Sequence, residues 1–177
     1  MRSGRLAIVL TILCTACASP PEDDYARLRR MQLVPPIDGL KPADLRDTFT
    51  ETRNGKPHGA IDILAPRGTP VRAMTDGAIR KLFVSKRGGN TIYEYDPTQT
   101  YCFYYAHLDR YAPGLTEGKQ VKRGDVIGYV GSTGDASPLA PHLHLEITKL
   151  DAEKHWWPPG PAINPYPVLR ELVTDRH

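Results

Sequence analysis

A chain of 177 residues holds one modest domain with extensions, since domains run to about 100 to 200 residues. Its 40% hydrophobic and 24% charged residues are those of an ordinary globular protein, while 15 glycines and 17 prolines favour short strands and turns over long helices. The formal charge of +3 falls further when Arg2 and Arg5 are removed with the leader described next, leaving 21 basic against 20 acidic residues, so a nucleic-acid partner is not expected.

In chain order, Arg2 and Arg5 precede the apolar run Leu6–Leu13 and the small-residue stretch Cys14-Thr15-Ala16-Cys17-Ala18, the layout of a secretory signal peptide over residues 1–16. The run is too short for a membrane-spanning helix, which needs about 20 residues. Thr15-Ala16-Cys17 resembles the end of a bacterial lipoprotein signal, where cleavage before Cys17 leaves that cysteine lipidated. Ala16-Cys17-Ala18 also suits cleavage after Ala18 and a soluble exported product. The polar tether that follows favours the anchor, and so a location in the cell envelope, on the periplasmic side, attached to the membrane through Cys17. With Cys14 removed and Cys17 acylated, Cys102 has no intramolecular disulfide partner. Its setting among Tyr101, Phe103, Tyr104 and Tyr105 marks it as a buried small hydrophobe.

Residues 17–46 read as a tether: Ser19-Pro20-Pro21, then Glu22 to Met31 with acids leading and arginines trailing, then Pro35-Pro36 and Pro42. The charge order suits a short helix within it. From Asp47 the texture changes to short apolar stretches at 60–64, 69–74, 78–84, 91–95, 102–107, 126–130 and 142–148, separated by turn signals such as Gly88-Gly89-Asn90 and Gly131-Ser132-Thr133-Gly134. This spacing predicts an all-β fold, a compact and mostly antiparallel barrel or sandwich over 47–170. A helical pattern at 167–173 follows, and 171–177 reads as a tail.

Four of the six histidines, His58, His107, His142 and His144, lie in or beside predicted strands. On a strand, His142 and His144 project from one face about 6.6 Å apart, a spacing that serves one metal site. His58 and Asp62 would likewise share a strand face, opposite Ile61 and Ile63. A carboxylate between two isoleucines needs a cation, a metal or several donors, and a structural salt bridge would serve as well. A histidine, a carboxylate four residues on and a distant histidine make a three-ligand zinc set with one position open to water. His107 and one member of the His142/His144 pair then remain to take a proton from that water.

These motifs resemble the LytM-type, lysostaphin-like zinc metallopeptidases of the M23 family, which cleave peptide bonds in bacterial peptidoglycan. The resemblance rests on His58 with Asp62, on Tyr105-Ala106-His107-Leu108, on His142-Leu143-His144-Leu145-Glu146, and on the connecting stretches Ala65–Val71 and Val121–Gly131, together covering about 47–169. It implies a lysostaphin-like duplicated hybrid-motif fold and one zinc ion per domain, held by His58, Asp62 and His144. It further implies that His142 and His107 flank the attacking water and support the tetrahedral intermediate. Glu146 could orient a histidine, and Tyr105 could donate a hydrogen bond at the cleft. Trp156 and Trp157 could stack on substrate or cover the edge of the barrel, as aromatics beside prolines often do.

The chain departs from the family where Ala60 takes a usual glycine position after Gly59, and where the loop Asp135–Pro141 beside the cleft is long. Both bear on substrate preference. Two other functions compete with a peptidase acting on cross-links or stem peptides. A degenerate member would act as a catalytically silent scaffold or activator of other cell-wall hydrolases, although all five site positions are present here. A lipoyl-type carrier would share the Val121–Gly128 hairpin pattern but needs a modified lysine at an exposed tip, and the sequence lacks that signature. The bond cleaved and the oligomeric state are not written in the sequence.

Overall fold

The computed structural model describes residues 23–53, 55–157 and 159–174, so the leader, Cys17 and the last three residues of the expected tail lie outside the described residues. Twelve strands are described: β1 Thr52–Arg53, β2 Lys56–Pro57, β3 Ile61–Leu64, β4 Pro70–Arg72, β5 Gly77–Ser85, β6 Gly89–Tyr95, β7 Tyr101–Leu108, β8 Arg110–Tyr111, β9 Gln120–Val121, β10 Val126–Tyr129, β11 His142–Lys149 and β12 Ala162–Ile163. Helices α1 Asp24–Arg30 and α2 Tyr166–Thr174 flank them. The seven apolar stretches read from the sequence become β3 to β7, β10 and β11. The main sheet runs β12-β11-β7-β6-β5-β9 with β3 also on β11, and a smaller sheet runs β4-β10-β8. All these pairings are antiparallel, and the sheets form a sandwich rather than a closed barrel.

Period-two alternation builds the core. On β11, Leu143, Leu145 and Ile147 are fully buried, as are Tyr101, Phe103 and Tyr105 on β7 and Ile61 and Ile63 on β3. The opposite face of β11 carries His142, His144 and Glu146. Cys102 is buried on that outer side with Tyr93, Tyr95 and Leu150, as a small hydrophobe.

The expected tether is not a free linker over its described part. Leu28 of α1, Leu33, Ile37 and Leu45 are buried in the main core, and Asp24 accepts hydrogen bonds from Tyr101 Oη and Lys149 Nζ. Apolar residues spaced along a proline-rich segment join the main core, and the segment is tied to the sandwich by Val34 N–H to Met74 O and Arg72 N–H to Pro36 O, which composition alone does not reveal. The expected tail also starts too early, because α2 continues to Thr174 with Val173 buried and Glu171 paired to Arg29. We expect Leu28→Ala to cost about 2 to 5 kcal/mol, measured by urea denaturation, because a fully buried leucine leaves a cavity. An unchanged midpoint would show that the segment is dispensable for folding.

Among the buried polar residues described, one carboxyl has no exposure at all. Glu94 is fully buried; its Oε2 accepts a 2.5 Å hydrogen bond from Tyr105 Oη, while Oε1 has no partner among the described residues. Burial pushes this carboxyl up to about 8, against the opposing hydrogen bond of Tyr105, so it is a neutral acid at pH 7.

Candidate metal centre

Asp62 stands directly across from His144 in the β3–β11 pairing, and Leu64 across from His142. This register explains the carboxylate between two isoleucines: Ile61 and Ile63 enter the core while Asp62 faces out onto the histidine strand. His58 reaches the same point by another route. The strand begins at Ile61, within the 60–64 stretch read from the sequence, and His58 lies before it, where Gly59 turns the chain at φ +73°. The turn is pinned by His58 N–H to Glu51 O at 2.8 Å and Gly59 N–H to Phe49 O at 3.0 Å.

Three donor atoms converge there. His58 Nε2 lies 3.1 Å from His144 Nδ1 and 3.3 Å from Asp62 Oδ1, and His144 Nδ1 lies 3.2 Å from Asp62 Oδ1. Ligands at about 2.0 to 2.1 Å around a tetrahedral ion stand about 3.3 Å apart, so the triangle has the size zinc requires. The protonation pattern points the same way. A carbonyl only accepts, so the 3.2 Å contact of His58 Nδ1 with Thr48 O places the ring hydrogen on Nδ1 and leaves a bare lone pair on Nε2. That lone pair faces the Asp62 carboxylate, and two acceptors held this close need a cation or a proton between them. Burial alone would raise the Asp62 carboxyl, but contacts with His144, His58 and Arg53 outweigh it and hold it well below the usual range. Arg53 Nη1 donates to Asp62 Oδ2 at 2.7 Å, leaving Oδ1 to face the histidines. Burial also depresses His144, against the pull of Asp62, so this imidazole favours its neutral, ligating form.

His142 and His107 stand beside this triangle. His142 Nε2 is 3.8 Å from Asp62 Oδ1, and its Nδ1 donates to Ala140 O at 2.9 Å. The His107 ring centroid is 4.9 Å from that of His142 and 5.6 Å from that of His144, and its Nδ1 donates to Thr133 O at 2.8 Å. Both rings therefore carry their hydrogen on Nδ1 and keep Nε2 as a base. Burial lowers His107, against the Thr133 hydrogen bond that raises it, which keeps the ring neutral. The arrangement combines a three-donor cation site with two imidazole bases, the equipment for hydrolysis by an activated water.

Other expected residues fall differently. Tyr105 does not reach the cleft: it is fully buried on the core side, accepting from Met74 N–H and donating to Glu94. Glu146 shares the outer face with His144, but no hydrogen bond joins it to a histidine among the described residues. Burial pushes its carboxyl up to about 7, and the field of His58 opposes this. Trp156 packs on Phe83 and Tyr93, with ring centroids 5.5 and 5.2 Å away, under Lys81. Tyr93 meets Tyr104 at 4.7 Å, and Tyr104 meets His144 edge-on at 5.9 Å, so Trp156 belongs to an aromatic surface that runs into the site. Trp157 is 63% exposed. Sequence reasoning missed Thr48, Arg53 and Tyr104; alternation along β7 could have placed Tyr104 on the histidine face. A second grouping of Asp151, Glu153 and His155 is exposed and lies outside the site.

Known proteins share this architecture. The model of Peptidase family M23 matches residues 56–159, which include all four clustered histidines and Asp62. The L-Ala--D-Glu endopeptidase of Bacillus subtilis is 36% identical over 118 residues, covering 64% of this chain and 34% of that protein. The peptidoglycan DD-endopeptidase ShyC of Vibrio cholerae is 38% identical over 92 residues, covering 52% and 20%. The match thus spans about a third or less of the length of these relatives. Among solved structures, the catalytic domain of lysostaphin from Staphylococcus simulans superposes with a TM-score of 0.56 at 28% identity, covering 84% of this chain and 99% of that one. A zinc-containing peptidase from Vibrio cholerae gives 0.54 at 28%, covering 65% and 36%. Matched over more than half its length, across the residues that gather the donor triangle, this chain belongs to peptidase family M23.

Proposed function

We propose that this protein is a zinc-dependent endopeptidase that hydrolyses peptide bonds of bacterial peptidoglycan, in a cross-link or a stem peptide. The observation that carries the reading is the triangle of His58 Nε2, Asp62 Oδ1 and His144 Nδ1 with 3.1 to 3.3 Å edges, flanked by two histidines whose Nδ1 hydrogens are given to carbonyls. The names of its relatives support the substrate class. His58, Asp62 and His144 hold the ion, one per domain; Thr48 O sets the tautomer of His58, and Arg53 restrains the second oxygen of Asp62. Zinc bound there supplies a Lewis acid that brings water toward a pKa of about 7 and polarises the scissile carbonyl.

His142 and His107 then act through Nε2. One accepts the proton of the attacking water as its oxygen bonds to the carbonyl carbon, and the resulting imidazolium returns that proton to the amine nitrogen as the C–N bond breaks. The other takes a proton from solvent at Nε2, donates a hydrogen bond from it to the developing oxyanion, and returns it to solvent after the intermediate collapses. Export to the envelope, and anchoring through lipidated Cys17, complete the reading on the strength of the leader.

Metal analysis and muropeptide digestion test it together. The purified chain is expected to hold about one zinc per molecule, to cleave purified muropeptides into fragments identified by mass, and to lose that activity to a chelator. A zinc-free chain of native sequence would overturn the metal assignment. Zinc-loaded protein that leaves all muropeptides intact would favour the silent scaffold.

A further inference from the structure

His107 does not belong on the face where it is found. Residues 103 and 105 of β7 point into the core, and strand alternation would send His107 after them. The β6–β7 pairing shows why it does not: Ile92 pairs with Tyr105 but Asn90 pairs with Leu108, so two residues of β6 are matched by three of β7. The extra residue is a β-bulge, and His107 adopts φ +59° within it. Ala106, paired with His144, and His107, beside the His142 and His144 rings, both lie on the histidine side of the sheet, and Leu108 returns to the core with no exposure. A non-glycine residue in this left-handed region costs on the order of 1 to 3 kcal/mol and persists only where its surroundings impose it.

The surroundings are concentrated in one residue. Thr133 grips His107 twice through its backbone, its N–H donating to His107 O at 3.4 Å and its carbonyl accepting from His107 Nδ1 at 2.8 Å. Its hydroxyl closes the bulge from the other side, donating to Leu108 O at 2.7 Å and accepting from Asn90 N–H at 2.9 Å. Asn90 adds side-chain hydrogen bonds to the carbonyls of Leu108 and Asp109 at 3.0 and 3.1 Å, and Gly88 O accepts from His107 N–H at 2.8 Å. The turn carrying Thr133 cannot retreat cheaply. It is seated so tightly that a Cβ on Gly131 would collide with the Asp109 backbone, and one on Gly134 with Arg87 O.

We infer that Thr133 is a positioning residue for His107: its hydroxyl fixes the bulge that turns the imidazole out of the core, and its carbonyl fixes the tautomer that leaves Nε2 basic. The inference rests on the proposed role of His107 in proton transfer, but its structural half can be read without any activity. Thr133→Val keeps the shape and removes the hydroxyl, and Thr133→Ser keeps the hydroxyl. Asn90→Ala removes the carboxamide bonds to the same bulge from the opposite strand.

In the zinc-loaded chain, imidazole nitrogen-15 NMR is expected to show a single Nδ1–H tautomer for His107 in the native protein and in Thr133→Ser. Thr133→Val and Asn90→Ala are expected to show a mixture of tautomers. Muropeptide turnover should follow: kcat falls about 100-fold in Thr133→Val, the size of loss that follows an ångström-scale misplacement, with KM within about twofold, zinc content unchanged and recovery in Thr133→Ser. A native His107 signature in both Thr133→Val and Asn90→Ala overturns the inference, whatever the activity. Loss of zinc together with turnover overturns it too, because the effect would then run through the ligand set. If the native chain proves inactive on every muropeptide, the proposed function falls while the tautomer comparison still decides the role of Thr133.

Discussion

His144→Ala is expected to lose zinc and turnover together, whereas His142→Ala keeps zinc at native stoichiometry and loses about 100- to 10,000-fold in kcat. The two histidines are two residues apart on one strand face, so a general disturbance of the strand would affect both alike. The difference comes from their neighbours. His144 directs Nδ1 at Asp62 Oδ1 and His58 Nε2 from 3.2 and 3.1 Å, inside the triangle. His142 spends its Nδ1 hydrogen on Ala140 O and brings Nε2 no closer than 3.8 Å to Asp62. In the proposed site, removing His144 would take away one of the three protein ligands on which the ion depends. Removing His142 leaves the ligands in place and takes away a base. Zinc content by elemental analysis and kcat on one muropeptide settle the matter; equal zinc in both variants would mean that the division of labour is wrong.

Between pH 5 and 8 the native protein is expected to lose a stability contribution that Glu94→Gln lacks. The fully buried Glu94 keeps its proton to about pH 8, while an unfolded glutamate loses it near 4.5. Because the folded value is raised, the contribution is fully present below about pH 4.5 and is lost as pH rises through about 8. Across pH 5 to 8 the loss amounts to about 4 kcal/mol, at about 1.4 kcal/mol per unit. Asp62 titrates with the opposite sign and below this window, since its folded value is depressed. The depressed His107 and His144 contribute stability that grows with pH up to about 6.5, and the raised Glu146 contributes stability that is lost as pH rises through about 7, but both variants carry all three equally. The gap between native and Glu94→Gln unfolding free energies, measured in urea at both pH values with zinc saturating, therefore isolates this one carboxyl. Parallel pH profiles for the two proteins would show that Glu94 is ionised in the fold.

Much of the architecture follows from residue spacing. Leu143, Leu145 and Ile147 alternate with His142, His144 and Glu146, and a pleated backbone has no choice but to separate them. That local rule made the histidine pair and the seven principal strands legible. It also anticipated an aspartate needing a partner between Ile61 and Ile63, although which histidine lay across from it waited on the β3–β11 register.

Where a position depends on a departure from the repeat, or on a distant surface to pack against, local spacing misleads. Tyr105 was offered as a hydrogen-bond donor at the cleft, yet the bulge between it and His107 puts one in the core and the other at the site. His58 precedes the 60–64 strand and reaches the site by the Gly59 turn, which strand alternation does not describe. The segment around Leu28 reads as a charged, proline-rich tether and becomes part of the core, because burial depends on what the rest of the chain leaves uncovered. The sequence by itself determined the seven principal strands, the faces of β11 and the donor types available for a metal. Only the tertiary structure decided that three donors meet at 3.1 to 3.3 Å and that His107 turns outward, because those outcomes depend on register, on a bulge and on long-range hydrogen bonds that outweigh local alternation.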